Sequence, residues 1–257
     1  MSIEQAVHCE VIGQGPALVL LHGWGVNSAI WQPIIAPLSE HFCLYVVDLP
    51  GFGDSKPLAD YSLQSISEAI LAVVPESAIW CGWSLGGLIA TYAAINYPQQ
   101  ITQLIQVSSS VKFVSDEQWD GVDGAVFDNF LQGLQNNPQK TLARFIALQA
   151  MGCATARQDS NKLKKLLTGT QDAELKALIA GLHLLAESDL RSSFATLSQP
   201  CLSMFGQFDG LVPLQTATKM NTLLPHLQVQ LFEHSSHAPF ISESELFCNK
   251  LVNFVAG

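Results

Sequence analysis

A chain of 257 residues, 48% hydrophobic and 13% charged, is long enough for one self-sufficient α/β core with room for an insertion, and its composition excludes a disordered or fibrous protein. A net charge of −10 argues against general nucleic-acid binding, and no apolar stretch approaches the roughly 20 residues needed to span a bilayer. The six cysteines are dispersed with no C-x-x-C pair or zinc spacing, as expected of small buried hydrophobes in a reducing compartment. Met1-Ser2-Ile3-Glu4-Gln5 carries neither the basic start nor the apolar run of a secretory leader. The expectation is a cytoplasmic monomer with no nucleic-acid or membrane partner.

Along the chain, apolar runs alternate with helical patterns, which predicts a mostly parallel sheet flanked by helices. Residues 7–12, a Gly13-Gln14-Gly15-Pro16 turn and residues 17–21 read as a hairpin leading into the first central strand. Gly13-x-Gly15 lacks the third glycine of a dinucleotide fingerprint and reads only as a turn. Residues 44–47 form a short strand ending in Asp48-Leu49-Pro50-Gly51-Phe52-Gly53. Leu63, Ile66, Ile70, Leu71 and Val74 have the spacing of an amphipathic helix closed by Pro75. A second apolar strand and helix flank residues 82–86, and 101–107 is another strand. From 111 to 190 no buried strand appears. A structureless loop of that length is improbable in a compact domain, so the expectation is a helical cap inserted into a core of 1–110 and 191–257. Strands resume at 201–205 and 229–232, each followed by a helix.

Gly82-Trp83-Ser84-Leu85-Gly86 decides the chemistry. Strand, Gly-x-Ser-x-Gly, helix is the context of a nucleophile elbow, a turn too tight for side chains at the glycines, with the serine at its apex. A serine hydroxyl needs a base within hydrogen-bond reach and a third group to orient that base. The elbow resembles that of the α/β-hydrolases, which implies that an acid and then a histidine follow it in chain order, each after a strand's carboxyl end. Asp209 lies four residues past Phe205, and His237 five past Phe232. His234 competes with His237 but has less loop to swing its ring over the elbow. Asp48 also ends a strand, but it precedes the elbow and is read as a brace for the 50–53 turn. Asp189, at the cap exit, is a weaker candidate acid. The oxyanion requires two backbone donors. The amide of Leu85 supplies one, and that of Trp24, in His22-Gly23-Trp24-Gly25, is expected to supply the other while its indole walls the pocket.

These motifs, together with His237-Ala238-Pro239-Phe240-Ile241-Ser242, resemble the α/β-hydrolase superfamily over essentially the whole chain. Arg144-Phe145-Ile146-Ala147-Leu148-Gln149, Met151-Gly152 and Thr155-Ala156-Arg157-Gln158-Asp159 narrow the resemblance to the pimeloyl-[acyl-carrier protein] methyl ester esterases of biotin synthesis. That resemblance implies hydrolysis of a carrier-bound pimeloyl methyl ester to the free acid and methanol, with no metal or organic cofactor. It also implies substrate contacts from Trp24, Ser84, Leu85, Phe145, Ile146, Ala147, Leu148, Gln149 and His237.

The charge pattern bears on the partner independently. Lys140, Arg144, Arg157, Lys162, Lys164 and Lys165 are six of the 12 basic residues, and the stretch they span holds one acid, Asp159. Lys140 and Arg144 share a helix face at i, i+4, as do Arg157 and Asn161, while Phe145 and Leu148 are expected to face a cleft. A basic rim beside an apolar hole suits an acidic acyl-carrier protein, docked by Lys140, Arg144, Arg157 and Lys162. The family has arginines where this chain has Lys140 and Asn161, which bears on docking strength rather than on ester chemistry. The same triad serves short-chain carboxylesterases and carbon–carbon bond hydrolases, and hydrolase-fold small-molecule receptors can keep it without turnover. Multiple turnover separates the enzymes from the receptor.

Overall fold

The computed structural model describes residues 6–257, and Met1-Ser2-Ile3-Glu4-Gln5, read above for a leader, lies outside them. Seven strands form one sheet: β1 (Cys9–Ile12), β2 (Ala17–Leu21), β3 (Cys43–Val47), β4 (Ala78–Trp83), β5 (Ile101–Val107), β6 (Cys201–Gly206) and β7 (Gln228–Phe232). Their order is β1-β3-β2-β4-β5-β6-β7. β1 is antiparallel to β3, and every other pairing is parallel.

This order corrects one expectation. Residues 7–12 and 17–21 do not pair as a hairpin, because β3 lies between β1 and β2. The physical reason is in the side chains. β2 is apolar throughout and nearly all buried, so it needs a strand on each side, which β3 and β4 provide. β1 is only partly buried, with Glu10 and Val11 exposed, and takes the sheet edge.

Helices cover both faces. Strand alternation divides the core: Val19 and Leu21 join one apolar cluster, and Leu18 and Leu20 join the other. After the first central strand come α1 (Gln32–Ser39), which the sequence reading did not assign, and α2 (Leu63–Leu71). α2 starts at a capping box in which Ser62 and Ser65 exchange side-chain and backbone bonds. α3 (Leu85–Asn96) is apolar on nearly every side and is buried accordingly.

Between β5 and β6 the chain forms α4 (Gly124–Asn136), α5 (Pro138–Leu148), α6 (Ala156–Leu166), α7 (Leu175–Glu187) and the short α8 (Arg191–Phe194). α4 packs against α5 and α7. α9 (Gln215–Leu223), α10 (Pro239–Ser242) and α11 (Ser244–Ala256) complete the chain. Among the described residues no helix is long and apolar enough to cross a membrane. The cysteines are all free thiols, and burial pushes that of Cys201 up to about 12.

Candidate active site

Ser84 sits between the end of β4 and the first residue of α3, with φ 53° and ψ −115°. A non-glycine residue held there stores about 1–3 kcal/mol of strain, which the surroundings must enforce. A Cβ on Gly82 would lie 2.2 Å from the Gly86 carbonyl oxygen, and one on Gly86 would lie 2.3 Å from that of Leu21. Only glycine permits that approach, and it lets the backbone turn sharply enough to lift the serine. The N–H of Ser84 donates to the Val107 carbonyl at 2.9 Å, and the Ser84 carbonyl accepts from Gly87 and Leu88 at 3.0 and 3.1 Å. The positive end of α3 therefore lies directly beneath the hydroxyl.

Asp209 and His237 follow β6 and β7 and meet in the interior. Asp209 Oδ2 lies 2.8 Å from His237 Nδ1, with both side chains almost wholly buried. Asp209 Oδ1 accepts the amides of Leu211 and Val212 at 2.8 and 2.9 Å, which fixes the carboxylate's rotation. A carboxylate only accepts, so the imidazole proton sits on Nδ1 and leaves the Nε2 lone pair free as a base. Nε2 is buried and has no hydrogen-bond partner among the described residues.

The histidine's backbone is held as firmly as its ring. Its N–H donates to the Gln149 carbonyl at 3.0 Å, and its carbonyl accepts from Trp83 Nε1 at 2.7 Å. The Trp83 and His237 rings lie 5.6 Å apart. Trp83 thus ties the turn at Ser84 to the loop that carries His237. Sequence reasoning gave Trp83 no role, although a buried indole N–H usually finds an acceptor. His234 is exposed. Asp48 braces its turn, accepting the Ser28 and Asp54 amides at 2.7 and 2.9 Å. Asp189 pairs with Arg191 at the surface.

Ser84 opens into a narrow cavity of about 20 Å³. Every other lining residue is apolar, among them Phe113, Phe127, Phe130, Phe145, Leu182 and Leu211. Trp24 is fully buried behind this wall. Its Nε1 donates to the Leu178 carbonyl at 2.7 Å, and its ring meets Phe145 and Phe130 edge-on at 4.7 and 6.3 Å. The indole supports the wall rather than lining it.

Of the segment 145–149, Phe145 lines the Ser84 cavity, while Ile146 lines a separate groove with Leu142, Lys164 and Leu167. Ala147 and Leu148 are half-buried, and Leu148 packs on the apolar core instead of reaching the cavity. Gln149 is buried, and its Oε1 has no partner among the described residues. Lys140, Arg144, Arg157, Lys162, Lys164 and Lys165 are exposed on α5 and α6. Asp159, the one acid among them, turns inward. Its Oδ2 accepts from Thr155 and Ser242 hydroxyls at 2.6 and 2.8 Å, and its Oδ1 lies 3.7 Å from Lys162 Nζ, so of the six cations Lys162 is the one it partly neutralises.

Residues 16–244 match the family described as alpha/beta hydrolase fold. The chain is 44% identical over 248 residues to the pimeloyl-[acyl-carrier protein] methyl ester esterase of Vibrio vulnificus (strain CMCP6), covering 96% of this chain and 97% of that one. It is also 44% identical over 249 residues to the esterase of the same name from Vibrio cholerae serotype O1, covering 97% and 98%. An esterase from Exiguobacterium antarcticum shares the fold with a TM-score of 0.86 at 22% identity, covering 98% and 96%. A buried acid–imidazole pair and a strained serine, each following the carboxyl end of a parallel strand, are the arrangement of the serine hydrolases. The chain belongs to the alpha/beta hydrolase fold family and, within it, to the family of pimeloyl-[acyl-carrier protein] methyl ester esterases.

Proposed function

We propose that this protein hydrolyses pimeloyl-[acyl-carrier protein] methyl ester to the carrier-bound pimeloyl acid and methanol, as its relatives are named to do. Residues 111–190 would serve as a cap over a core of 1–110 and 191–257. In this reading Ser84 Oγ attacks the ester carbonyl while His237 Nε2 takes its proton, and Asp209 holds the imidazole that has become charged. The amides of Trp24 and Leu85 receive the oxyanion. His237 returns the proton to the departing methoxide, releasing methanol. It then takes a proton from water as that water attacks the acyl-enzyme, and regenerates Ser84 as the acid leaves.

The observation that carries this reading is the lining of the cavity. With Ser84 the only polar residue on its wall among the described residues, it accepts a neutral ester and a polymethylene chain. A cavity of about 20 Å³ holds about one water, so a seven-carbon chain requires the phenylalanines of α4 and α5 to move aside. The exposed cations of α5 and α6 offer an acidic carrier a docking face beside that opening, with Lys140, Arg144, Arg157 and Lys162 in contact. Of residues 145–149, Phe145 would contact the inserted arm, with Ser84, His237 and the main-chain amides of Trp24 and Leu85 at the ester.

Methanol release from pimeloyl-carrier methyl ester, measured beside hydrolysis of p-nitrophenyl esters, tests the proposal. Efficient turnover of the carrier ester supports it. Turnover confined to the small esters would leave a general short-chain carboxylesterase.

A further inference from the structure

We propose that His22 and Ser109 are positioning residues that hold the two oxyanion-binding peptides from behind. The inference rests on the reading above, in which the amides of Trp24 and Leu85 receive the oxyanion.

Each of those amides belongs to a peptide unit whose carbonyl is on the preceding residue. The Trp24 N–H shares its plane with the Gly23 carbonyl, and the Leu85 N–H with that of Ser84. The described chain has no cis peptide, so N–H and C=O point in opposite directions in both units. A donor on the carbonyl therefore fixes the direction of the amide without occupying it.

Both carbonyls have such a donor from a buried side chain. His22 Nδ1 lies 2.8 Å from the Gly23 carbonyl oxygen. The Leu49 amide donates to His22 Nε2 at 2.9 Å, so Nε2 presents its lone pair and the ring proton is on Nδ1, pointing at Gly23. The ring has no accessible surface and meets Phe52 edge-on at 5.4 Å, which fixes its plane. Burial outweighs the nearby Asp48 and the Gly23 bond and holds His22 below the ordinary imidazole range, in keeping with a neutral ring.

On the other side, Ser109 Oγ donates to the Ser84 carbonyl at 2.8 Å. Ser109 is buried, and it follows Ser108, which is held at φ 43° at the end of β5. The Ser109 Cβ lies so close to Gly87 that a side chain there would meet it at 2.5 Å. The hydroxyl is thus seated against the first turn of α3.

Two consequences follow. Each peptide is set in place before substrate arrives, so no reorganisation is needed as charge develops on the oxyanion. Each N–H is also polarised by the bond on its own carbonyl, and hydrogen bonds in such chains strengthen one another. Neither side chain touches the substrate.

The test forms the hemiketal of Ser84 with an alkyl trifluoromethyl ketone and follows the Trp24 and Leu85 amides by ¹H–¹⁵N spectroscopy in the full-length protein. In the unmutated protein both amide protons should move downfield as the oxyanion forms. If neither moves, the reading of these two amides as the oxyanion site is wrong, whatever His22 and Ser109 do. With that shift present, Ser109→Ala should reduce it at Leu85 and leave it intact at Trp24. His22→Leu should do the reverse, and His22→Asn, whose amide nitrogen can reach the Gly23 carbonyl, should restore it in part.

Turnover number on p-nitrophenyl butyrate should fall about fivefold in Ser109→Ala and about tenfold in His22→Leu with little change in KM, fractions of the roughly hundredfold to thousandfold loss when an oxyanion donor is removed outright. Should His22→Leu fail to fold, Ser109→Ala alone decides the matter, since it deletes one hydroxyl and leaves the Gly87 and Leu88 bonds to the same carbonyl. Unchanged amide shifts and an unchanged turnover number in the folded variants overturn the proposal.

Discussion

The main-chain N–H of His237 donates to the carbonyl of Gln149, the residue immediately after helix α5, at 3.0 Å. His237 is therefore fastened to the end of the same helix that carries Phe145 into the cavity. A second tie lies one residue away, where the Ser236 hydroxyl donates to the Met151 carbonyl at 2.7 Å. Movement of the 149–151 segment carries the imidazole with it. Ser236→Ala should consequently lower the turnover number on p-nitrophenyl butyrate about threefold to tenfold while KM stays within a factor of two. Equal rates in the two proteins would show that the Gln149 contact holds the loop by itself.

Removal of a relay member should cost about four powers of ten in turnover number, because the three residues act as one unit. Ser84→Ala, His237→Ala and Asp209→Asn are each expected to do this with circular dichroism unchanged, and Ser84→Ala/His237→Ala should be little slower than Ser84→Ala. His234→Ala, at an exposed position, should keep full activity. An active His237→Ala protein would place the base elsewhere.

Chain-length preference should reside in Phe145, which lines the cavity, more than in Leu148, which packs on the core. Phe145→Ala should raise the relative rate on p-nitrophenyl octanoate over acetate several-fold by opening the wall. Leu148→Ala should lower thermal stability with a smaller change in that ratio. A ratio that moves with Leu148 and not with Phe145 would reverse the assignment.

Charge on α5 and α6 should matter for the carrier ester alone. Arg144→Glu/Arg157→Glu is expected to lower kcat/KM on pimeloyl-carrier methyl ester at least tenfold, and added salt should weaken the unmutated protein in the same direction. Hydrolysis of p-nitrophenyl butyrate should be unaffected. The ratio of the two activities is the quantity to measure, since it cancels errors in enzyme concentration. A parallel loss on both substrates would remove this face from consideration as a docking surface.

Asp159 joins α6 to α10 through Thr155 and Ser242, just beyond the loop that carries His237. Asp159→Ala would leave two hydroxyl groups without their acceptor, a cost of about 2–4 kcal/mol. Thermal denaturation should register this as a fall of roughly 5–10 °C. An unchanged melting temperature would mean that water replaces the carboxylate at no cost.

The glycine turn around Ser84 and the positions of Asp209 and His237 after their strands were legible in the sequence because each depends on local chemistry. Gly82 and Gly86 mark a turn that only glycine allows, and Asp209 and His237 fall just past the runs that form β6 and β7. The helical segment between β5 and β6 was legible for a similar reason, since residues 111–190 offer no run suited to a sheet interior. The partner of β1 was not legible: the Gly13–Pro16 turn looks the same whether the strands it joins pair or are separated by β3. That choice depends on the greater burial gained when β2 lies inside the sheet. Nor did spacing reveal that Leu148 faces the core, that Asp159 turns inward, or that Trp83 and Gln149 hold the backbone of His237. The partners of Asp159, Gln149 and Trp83 are 83 to 154 residues away in sequence, and such pairings exist only once the strands have brought their carboxyl ends together.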